Sequence, residues 1–361
     1  MTAIYKKIYS EIKQKITTGD YEVGEKLPTD KELAETYGTS VMTVSKALNL
    51  LKNEQLISRK PKLGSVILHH QESTQEVRRI GFVITDFGDV FGTEILKGVL
   101  SSDKDVEIVL KISHGNVELE ERCIMELLDL KVSGIILLPC STKFISSIVL
   151  NLVSKNFPLV VLDRPVDYIP ASSIESGNKQ GMLLAMNHLF ENGHENIALI
   201  SSSDYVKSVS DRIEGYVYSF LTREKKTNES YILSNIDSTL LNSDHSAEKD
   251  IERIAAFLEE HPELTAIVTT EYSIANLLYR VLKEKGLSVP DDLSIICFDS
   301  PETKYFHELY FTHVKQQQFN MGQQAVDLVL RNDETIQKIV LDCELVEGNS
   351  VRNITSSKSK N

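Results

Sequence analysis

Isoleucine recurs at Ile4, Ile8, Ile12 and Ile16 with polar and charged residues between, the period of a single apolar face on an α-helix. The spacing predicts a first helix over residues 4 to 17, closed by Gly19 and a turn through Val23 and Gly24. After Pro28, Thr29 or Asp30 offers a cap for a second helix in DKELAETYG, which stops at Gly38. Thr39 and Ser40 open a third, VMTVSKALNLLKNEQL, in which Met42, Val44, Ala47, Leu48 and Leu51 are expected to pack inward. ISRKPKLGSVIL then reads as two short strands around a lysine-rich tip, which completes a winged helix-turn-helix.

The polar stretch HHQESTQEVRR reads as a linker, and from Arg79 onward the pattern changes. Short apolar runs (IGFVITD, VEIVLKI, GIILLP, PLVVLD, NIALISS, YILSN, TAIVTT, LSIICFD) alternate with amphipathic runs such as TEILKGVL, LEERCIMELLDL, GMLLAMNHLFENG, DRIEGYVYSFLTRE, HSAEKDIERIAAFLEEH, IANLLYRVLKEKG and MGQQAVDLVL, with a further helix near residues 143 to 155. Strand–helix alternation predicts parallel sheets covered by helices, an α/β fold. About 280 residues of such units favour two Rossmann-like lobes, with a TIM barrel as the competing architecture. The expected organisation is a DNA-binding domain over 1–69, a linker over 70–79 and a two-lobed domain over 80–361.

Charge sharpens this division. The chain of 361 residues carries a formal net charge of −13, yet residues 1–70 hold 11 Lys/Arg against 8 Asp/Glu (+3) and the remainder 28 against 44 (−16). An acidic body leaves the basic head as the surface for nucleic acid. The four cysteines (Cys123, Cys140, Cys297, Cys343) show no CxxC or Cys/His cluster, so they read as reduced thiols without a disulfide framework or metal site. Apolar runs are strand-length and the N-terminus has no apolar signal core, so a cytoplasmic protein with no membrane span is expected. GxSxG, HExxH, Walker and GxGxxG motifs are missing, and Asp86-Phe87-Gly88 stands without the other kinase signatures. Neither an enzyme nor a cofactor is expected.

The segment KLPTDKELAETYGTSVMTVSKALNLLKNEQLISRKPKLGSVI resembles the winged helix of GntR-family repressors over nearly its whole length. The family's Leu-Pro-Ser-Glu-Arg appears as Leu27-Pro28-Thr29-Asp30-Lys31, its Thr-Val as Thr43-Val44, and its wing glycine as Gly64. The resemblance implies that the third helix enters the major groove, with Ser40, Thr43, Ser45 and Lys46 as groove residues and Lys31, Lys60 and Lys62 on the phosphate backbone; Thr29 and Gly64 complete the set through their motif positions. Val41 and Ser45 stand where the family has arginine, and Lys62 where it has the wing's first glycine. Bidentate guanine readout is therefore missing, and Val41 is placed to touch a thymine methyl.

From Arg79 to Asn353 the strings IGFVITDFGDVFGTEILKGV, PLVVLDRP, HLFENGHENIALIS, DRIEGY and GLSVPDDLSIICFD resemble the sugar-responsive domain of LacI-family regulators, which is akin to periplasmic binding proteins. A GntR-like head on a LacI-like body is similar to arabinose-repressor-like transcription regulators. That implies a homodimeric repressor of carbohydrate-utilisation genes, bound to a palindromic operator and controlled by a monosaccharide held between the lobes; an arabinose-like pentose is the first guess. The rival reading is a sugar sensor whose head contacts protein.

Carried over by motif position, ligand residues fall on Phe91, Arg212 and Asp163, with Asp86 and Ser141 as further strand-end candidates. Glu271-Tyr272 replaces the family's Asn-Asp, and Gly92 replaces a second aromatic. Glu271 is either a pocket carboxylate or a cap for the helix that follows. Asp299 is expected to satisfy loop amides, and His188 and His194 to pack or cap.

Overall fold

The computed structural model describes residues 4–355 apart from 61–63, 69–77, 89, 103–104, 143–144, 167, 204–205, 239, 241–245, 302–309 and 332–334. The chain divides into two compact units, Met1–Val77 and Arg78–Asn361.

The first unit contains α1 (Ile4–Thr17), α2 (Asp30–Thr36), α3 (Val41–Asn53) and the antiparallel ribbon β1 (Ile57–Lys60) and β2 (Gly64–Ile67), in register from Ile57 opposite Ile67 to Lys60 opposite Gly64. Ile8, Ile12 and Ile16 pack with Val44, Ala47, Leu48 and Leu51 in one core. Thr29 rather than Asp30 caps α2: its hydroxyl accepts from the Glu32 backbone while the Glu32 carboxylate accepts from the Thr29 N–H at 2.7 Å. Ser40 caps α3 through the Thr43 N–H at 3.2 Å. Arg59 locks the ribbon onto the helices, donating to the Asn49 carboxamide at 2.9 Å and pairing with Asp30. Met42 departs from its expected place in the core, because its side chain is 83% exposed.

The second unit holds two open six-stranded sheets, which excludes a TIM barrel. In chain order its elements are β3 (Arg78–Ile84), α4 (Thr93–Leu100), β4 (Val106–Ile112), α5 (Val117–Asp129), β5 (Gly134–Leu137), α6 (Ser147–Ser154), β6 (Leu159–Leu162), β7 (Ser172–Ser176), α7 (Asn178–Glu191), β8 (Ile197–Ile200), α8 (Lys207–Leu221), β9 (Ile232–Leu233), α9 (Ala247–Glu260), β10 (Ala266–Thr269), α10 (Tyr272–Glu284), β11 (Ser294–Phe298), β12 (Thr312–Lys315), α11 (Gln318–Leu330), β13 (Lys338–Leu341) and β14 (Glu344–Val346).

The N-lobe sheet, ordered β13-β7-β6-β5-β3-β4, is parallel throughout. The C-lobe sheet, β14-β12-β11-β10-β8-β9, is parallel except at β14. GIIL, LVVL, IALI, AIVT and SIICF are buried along their full length, as expected for parallel strands covered on both faces. Among the strands, β7, β12, β13 and β14 were not foreseen, and YILSN contributes only the two residues of β9 after a single 3-10 turn.

The chain passes between lobes three times: at Gly177 between β7 and α7, at Gln316-Gln317 between β12 and α11, and at Asp342-Cys343 between β13 and β14. Helix α11 packs back into the N-lobe core through Met321, Ala325, Val326 and Val329.

Candidate functional site

In the head, Val41 is 48% exposed and sits with Met42 at the N-terminal end of α3, where a recognition helix meets base edges. Lys46 is exposed on the same helix, its ammonium 4.2 Å from the centroid of the Tyr5 ring. Lys31, Lys60 and Gly64 are exposed, and Lys62 lies outside the described residues.

Three predicted hydroxyl contacts have partners within the fold. Ser40 Oγ and Thr43 Oγ1 lie 2.8 Å apart, and Ser45 Oγ accepts from Arg59 at 3.2 Å. Thr29 is committed to its capping box, although it remains exposed. The outward-facing chemistry of α3 is thus more apolar than the sequence suggested, with Val41 and Met42 beside Lys46.

In the body, a cleft of about 500 Å³ opens between the C-terminal strand ends of the two lobes, where ligands bind in open α/β sheets. The N-lobe contributes Thr85 after β3, Cys140 after β5, and Asp163 and Arg164 after β6; the C-lobe contributes Ser202 after β8, Glu271 after β10, Asp299 after β11 and Arg212 on α8. Phe91 and Tyr272 add aromatic surface.

Of the sequence-derived candidates, Phe91, Asp163, Arg212 and Glu271 come together here. Asp86 and Ser141 do not line the cleft, and each is displaced by the residue before it, Thr85 and Cys140. The Asp86 carboxylate turns back to accept from the Phe87 N–H at 2.7 Å.

Arg212 is buried. Its guanidinium stacks 4.1 Å from the centroid of Phe298, donates from Nε to Asn178 at 2.8 Å and from Nη1 to the Thr270 carbonyl at 2.7 Å. Glu271 occupies the N-cap position of α10 without capping it; its carboxylate accepts from Ser202 Oγ at 2.6 Å, inside the cleft.

Asp299 also differs from expectation. It lines the cleft, and its carboxylate accepts from the Gln316 and Gln318 side chains at 2.7 and 3.4 Å. Burial pushes its carboxyl up to about 6, with the Arg212 guanidinium pulling the other way and Asp163 adding to the rise.

Asp163 is 4% exposed in the left-handed region, at φ 58°. Its Oδ2 lies 3.7 Å from Arg164 Nε, and among the described residues neither Asp163 Oδ1 nor Arg164 Nε has a hydrogen-bond partner. Arg164 Nη1 donates to the Pro139 carbonyl at 3.2 Å, while Glu120 beneath accepts from the Cys140 N–H at 2.6 Å, so the loop after β5 is held from both sides. Burial raises the Glu120 carboxyl.

The cleft therefore presents carboxylate acceptors, two guanidinium groups, serine hydroxyls and two aromatic rings, a set suited to a polyhydroxylated molecule. Neither His nor Lys is among the described lining residues. Burial, with Glu120 adding, pushes the Cys140 thiol up to about 12, too high for a nucleophilic thiolate. Asp237, bound to Ser203 through its N–H at 2.7 Å, completes an acidic margin that the motif strings gave no way to find. His194 is structural, 2.9 Å from Thr265 Oγ1 and 3.0 Å from the Arg352 carbonyl.

Residues 4–67 match bacterial regulatory proteins of the gntR family, and residues 186–351 match the periplasmic binding protein-like domain. The chain joins a GntR-family DNA-binding domain to a periplasmic-binding-protein-like domain. Over nearly its full length this GntR-headed regulator is similar to the arabinose metabolism transcriptional repressor of Geobacillus stearothermophilus, at 26% identity over 97% of this chain and 98% of the relative. It is also similar to the transcriptional repressor PurR of Aliivibrio fischeri, at 24% identity over 91% and 99%.

In fold, the body resembles the transcription regulator CcpA of Lactococcus lactis (TM-score 0.65, 22% identity, 76% of this chain and 100% of that one). It also resembles a LacI-family regulator of Enterococcus faecium with bound ribose (TM-score 0.63, 22% identity, 77% and 100%). The chain is thus a transcription regulator with a GntR-type DNA-binding domain, and no described helix is long and apolar enough to cross a membrane.

Proposed function

We propose that the chain is a sugar-controlled repressor that binds a palindromic operator as a homodimer and takes a monosaccharide in the interlobe cleft. The observation that carries the reading is the adjacent, buried pair Asp163 Oδ1 and Arg164 Nε at the cleft wall, neither with a hydrogen-bond partner among the described residues. One ligand hydroxyl donates to the carboxylate and accepts from the guanidinium, removing the desolvation cost of both groups. Arg212, Glu271 and Asp299 supply further partners, and Phe91 and Tyr272 cover the apolar face of the ring. The arabinose and ribose named for its relative and its fold neighbour make pentoses the first sugars to try.

In the head, Val41 and Met42 supply apolar contact to thymine methyls, Lys46 reaches the groove or a phosphate, and Lys31 and Lys60 hold the backbone.

The test begins with a DNA site selected from random sequence by the full-length chain. Binding to it should weaken steeply with salt, and Lys60→Ala should flatten that slope by about one counterion. Affinity is then measured with and without L-arabinose and D-ribose. A change by either sugar supports the switch, and equal affinities under saturating sugar overturn it. Failure of the head to select any DNA would favour a sensor whose head contacts protein.

A further inference from the structure

The three crossovers between lobes are laced to one another. Gly177 N–H donates to the Leu341 carbonyl at 2.8 Å, Gln317 Nε2 donates to the Asp342 carbonyl at 2.8 Å, and Gln180 exchanges bonds with the Cys343 backbone at 2.9 and 3.2 Å. Immediately beyond the second crossover stands Gln318, the buried first residue of α11. Its side chain does something none of these neighbours does. Nε2 donates to the Val90 carbonyl at 2.8 Å and, at 3.4 Å, to Asp299 Oδ1, while Oε1 accepts from the Gly92 N–H at 3.0 Å.

One carboxamide therefore grips the residue on each side of Phe91 in the N-lobe and the carboxylate that ends β11 in the C-lobe. Phe91 and Asp299 both line the cleft. The grip is needed locally: Gly92 is the N-cap of α4 at φ 94°, with no side chain to cap the helix, and its own N–H would otherwise be a buried orphan. It is also stiff. Helices α4 and α11 cross so closely that a Cβ on Gly98 would lie 2.0 Å from the Phe319 carbonyl oxygen, and one on Gly322 2.1 Å from that of Ile95. A shift of Gln318 has no slack in which to dissipate before it reaches α4.

We propose that Gln318 is a positioning residue that fixes Phe91 against Asp299 and passes occupancy of the cleft to the start of α4. The transmitting half of this statement rests on the reading that a sugar enters the cleft; the positioning half does not.

The full-length chain tests both. Gln318→Met keeps volume and removes all three bonds. In the absence of sugar, hydrogen exchange at Gly92 and the first turn of α4 should quicken about tenfold, the equivalent of one lost buried hydrogen bond, with α5 and α7 unchanged. Unchanged exchange at Gly92, or faster exchange across the whole N-lobe, overturns the proposal.

Gln318→Glu adds a readout that simple packing would not move. Protonated, the side chain still offers one O–H donor and one acceptor; ionised, it sets a second negative charge beside Asp299. Among the described residues, the charged groups near this spot are Asp299, Arg212 and Asp163 on the cleft side and Glu94, Lys97, Lys315 and Glu344 around the adjoining surface cavity. Exchange at Gly92 should return toward wild-type rates as pH falls from about 8 to about 5, after correction for intrinsic chemistry. No pH-dependent rescue counts against the proposal.

L-Arabinose titrated calorimetrically then addresses transmission. The sugar should slow exchange at Gly92 in the wild type, and Gln318→Met should weaken its binding about tenfold and abolish that slowing. Equal affinity and equal slowing in both proteins overturns transmission while leaving the sugar reading intact. If L-arabinose does not bind the wild type, the arabinose reading falls and the sugar-free exchange result alone decides positioning.

Discussion

The two lobes end a buried strand in the same way and then diverge. Asp163 after β6 and Asp299 after β11 both adopt φ 58°, a left-handed conformation that costs about 1 kcal/mol outside glycine and that aspartate tolerates better than most residues. In both lobes it delivers a carboxylate to the cleft. Asp299 is then taken up by two glutamines at a crossover, and its carboxyl is raised to about 6. Among the described residues, Asp163 Oδ1 has no hydrogen-bond partner, and neither has Arg164 Nε beside it. Equivalent backbones thus support unequal roles, one carboxylate wired into the connection between lobes and one left with capacity for whatever enters. Which role each plays is set by what the neighbouring elements place around it.

Arg212 is where this contrast is most exposed to test. It bears on Asp299 electrostatically and bonds Asn178 and Thr270, so Arg212→Ala leaves a partly buried carboxylate without its counter-charge and two acceptors unpaired. A loss of about 3–5 kcal/mol is expected, read as a lower urea midpoint for the body. An unchanged midpoint would remove Arg212 as the element that makes the Asp299 carboxylate tolerable.

Helix crossings provide the next comparison. A Cβ at Gly322 would fall 2.1 Å from a backbone oxygen in the N-lobe, whereas one at Gly215, where α8 crosses α7, would fall 2.8 Å from the Met182 Cβ. Gly322→Ala should cost about 2–3 kcal/mol and Gly215→Ala about 1 kcal/mol by equilibrium denaturation. The reverse order would mean that the C-lobe crossing is the stiffer one.

The last expected effect is a pH dependence. The folded-state pKa of Asp299, about 6, lies above the unfolded value of about 3.9. Its contribution is therefore full below about pH 4 and is lost as pH rises through about 6. Asp299→Asn should accordingly gain on the wild type by about 1–2 kcal/mol across that window, measured as a stability difference at each pH. A constant difference from about pH 4 to about pH 7 would contradict the raised carboxyl.

Much of this molecule is legible one segment at a time, where the information is local. Helix α1 spans Ile4–Thr17 as its isoleucine period requires, Ser40 caps α3, and the fully buried strands carry unbroken apolar runs. Met42 shows the limit of that reading. Two positions before Val44, it points about 200° around the helix from the core stripe, and an apolar side chain there has nothing to cover it. SSIES and THVK lack an apolar run, and KIVL and ELV are too short to stand out; they are strands by virtue of their neighbours: β7 fits between β6 and β13, and β12 between β11 and β14.

Sequence alone predicted that a winged helix precedes an α/β body, and the family resemblance it carries picked out Phe91, Asp163, Arg212 and Glu271, which line the cleft. At Asp86 and Ser141 the cleft is lined by the preceding residue instead, Thr85 and Cys140, since both lie in loops beyond β3 and β5 whose path only the assembled fold decides. The fold alone decided that Asp299 is held by two glutamine side chains while, among the described residues, Asp163 Oδ1 has no hydrogen-bond partner. It also decided that Gln318 joins Val90, Gly92 and Asp299, residues 228, 226 and 19 positions away. Period and capping act over a few residues and are written in order along the chain; a hydrogen bond across that separation exists only once two sheets and their crossovers have fixed where each end lies.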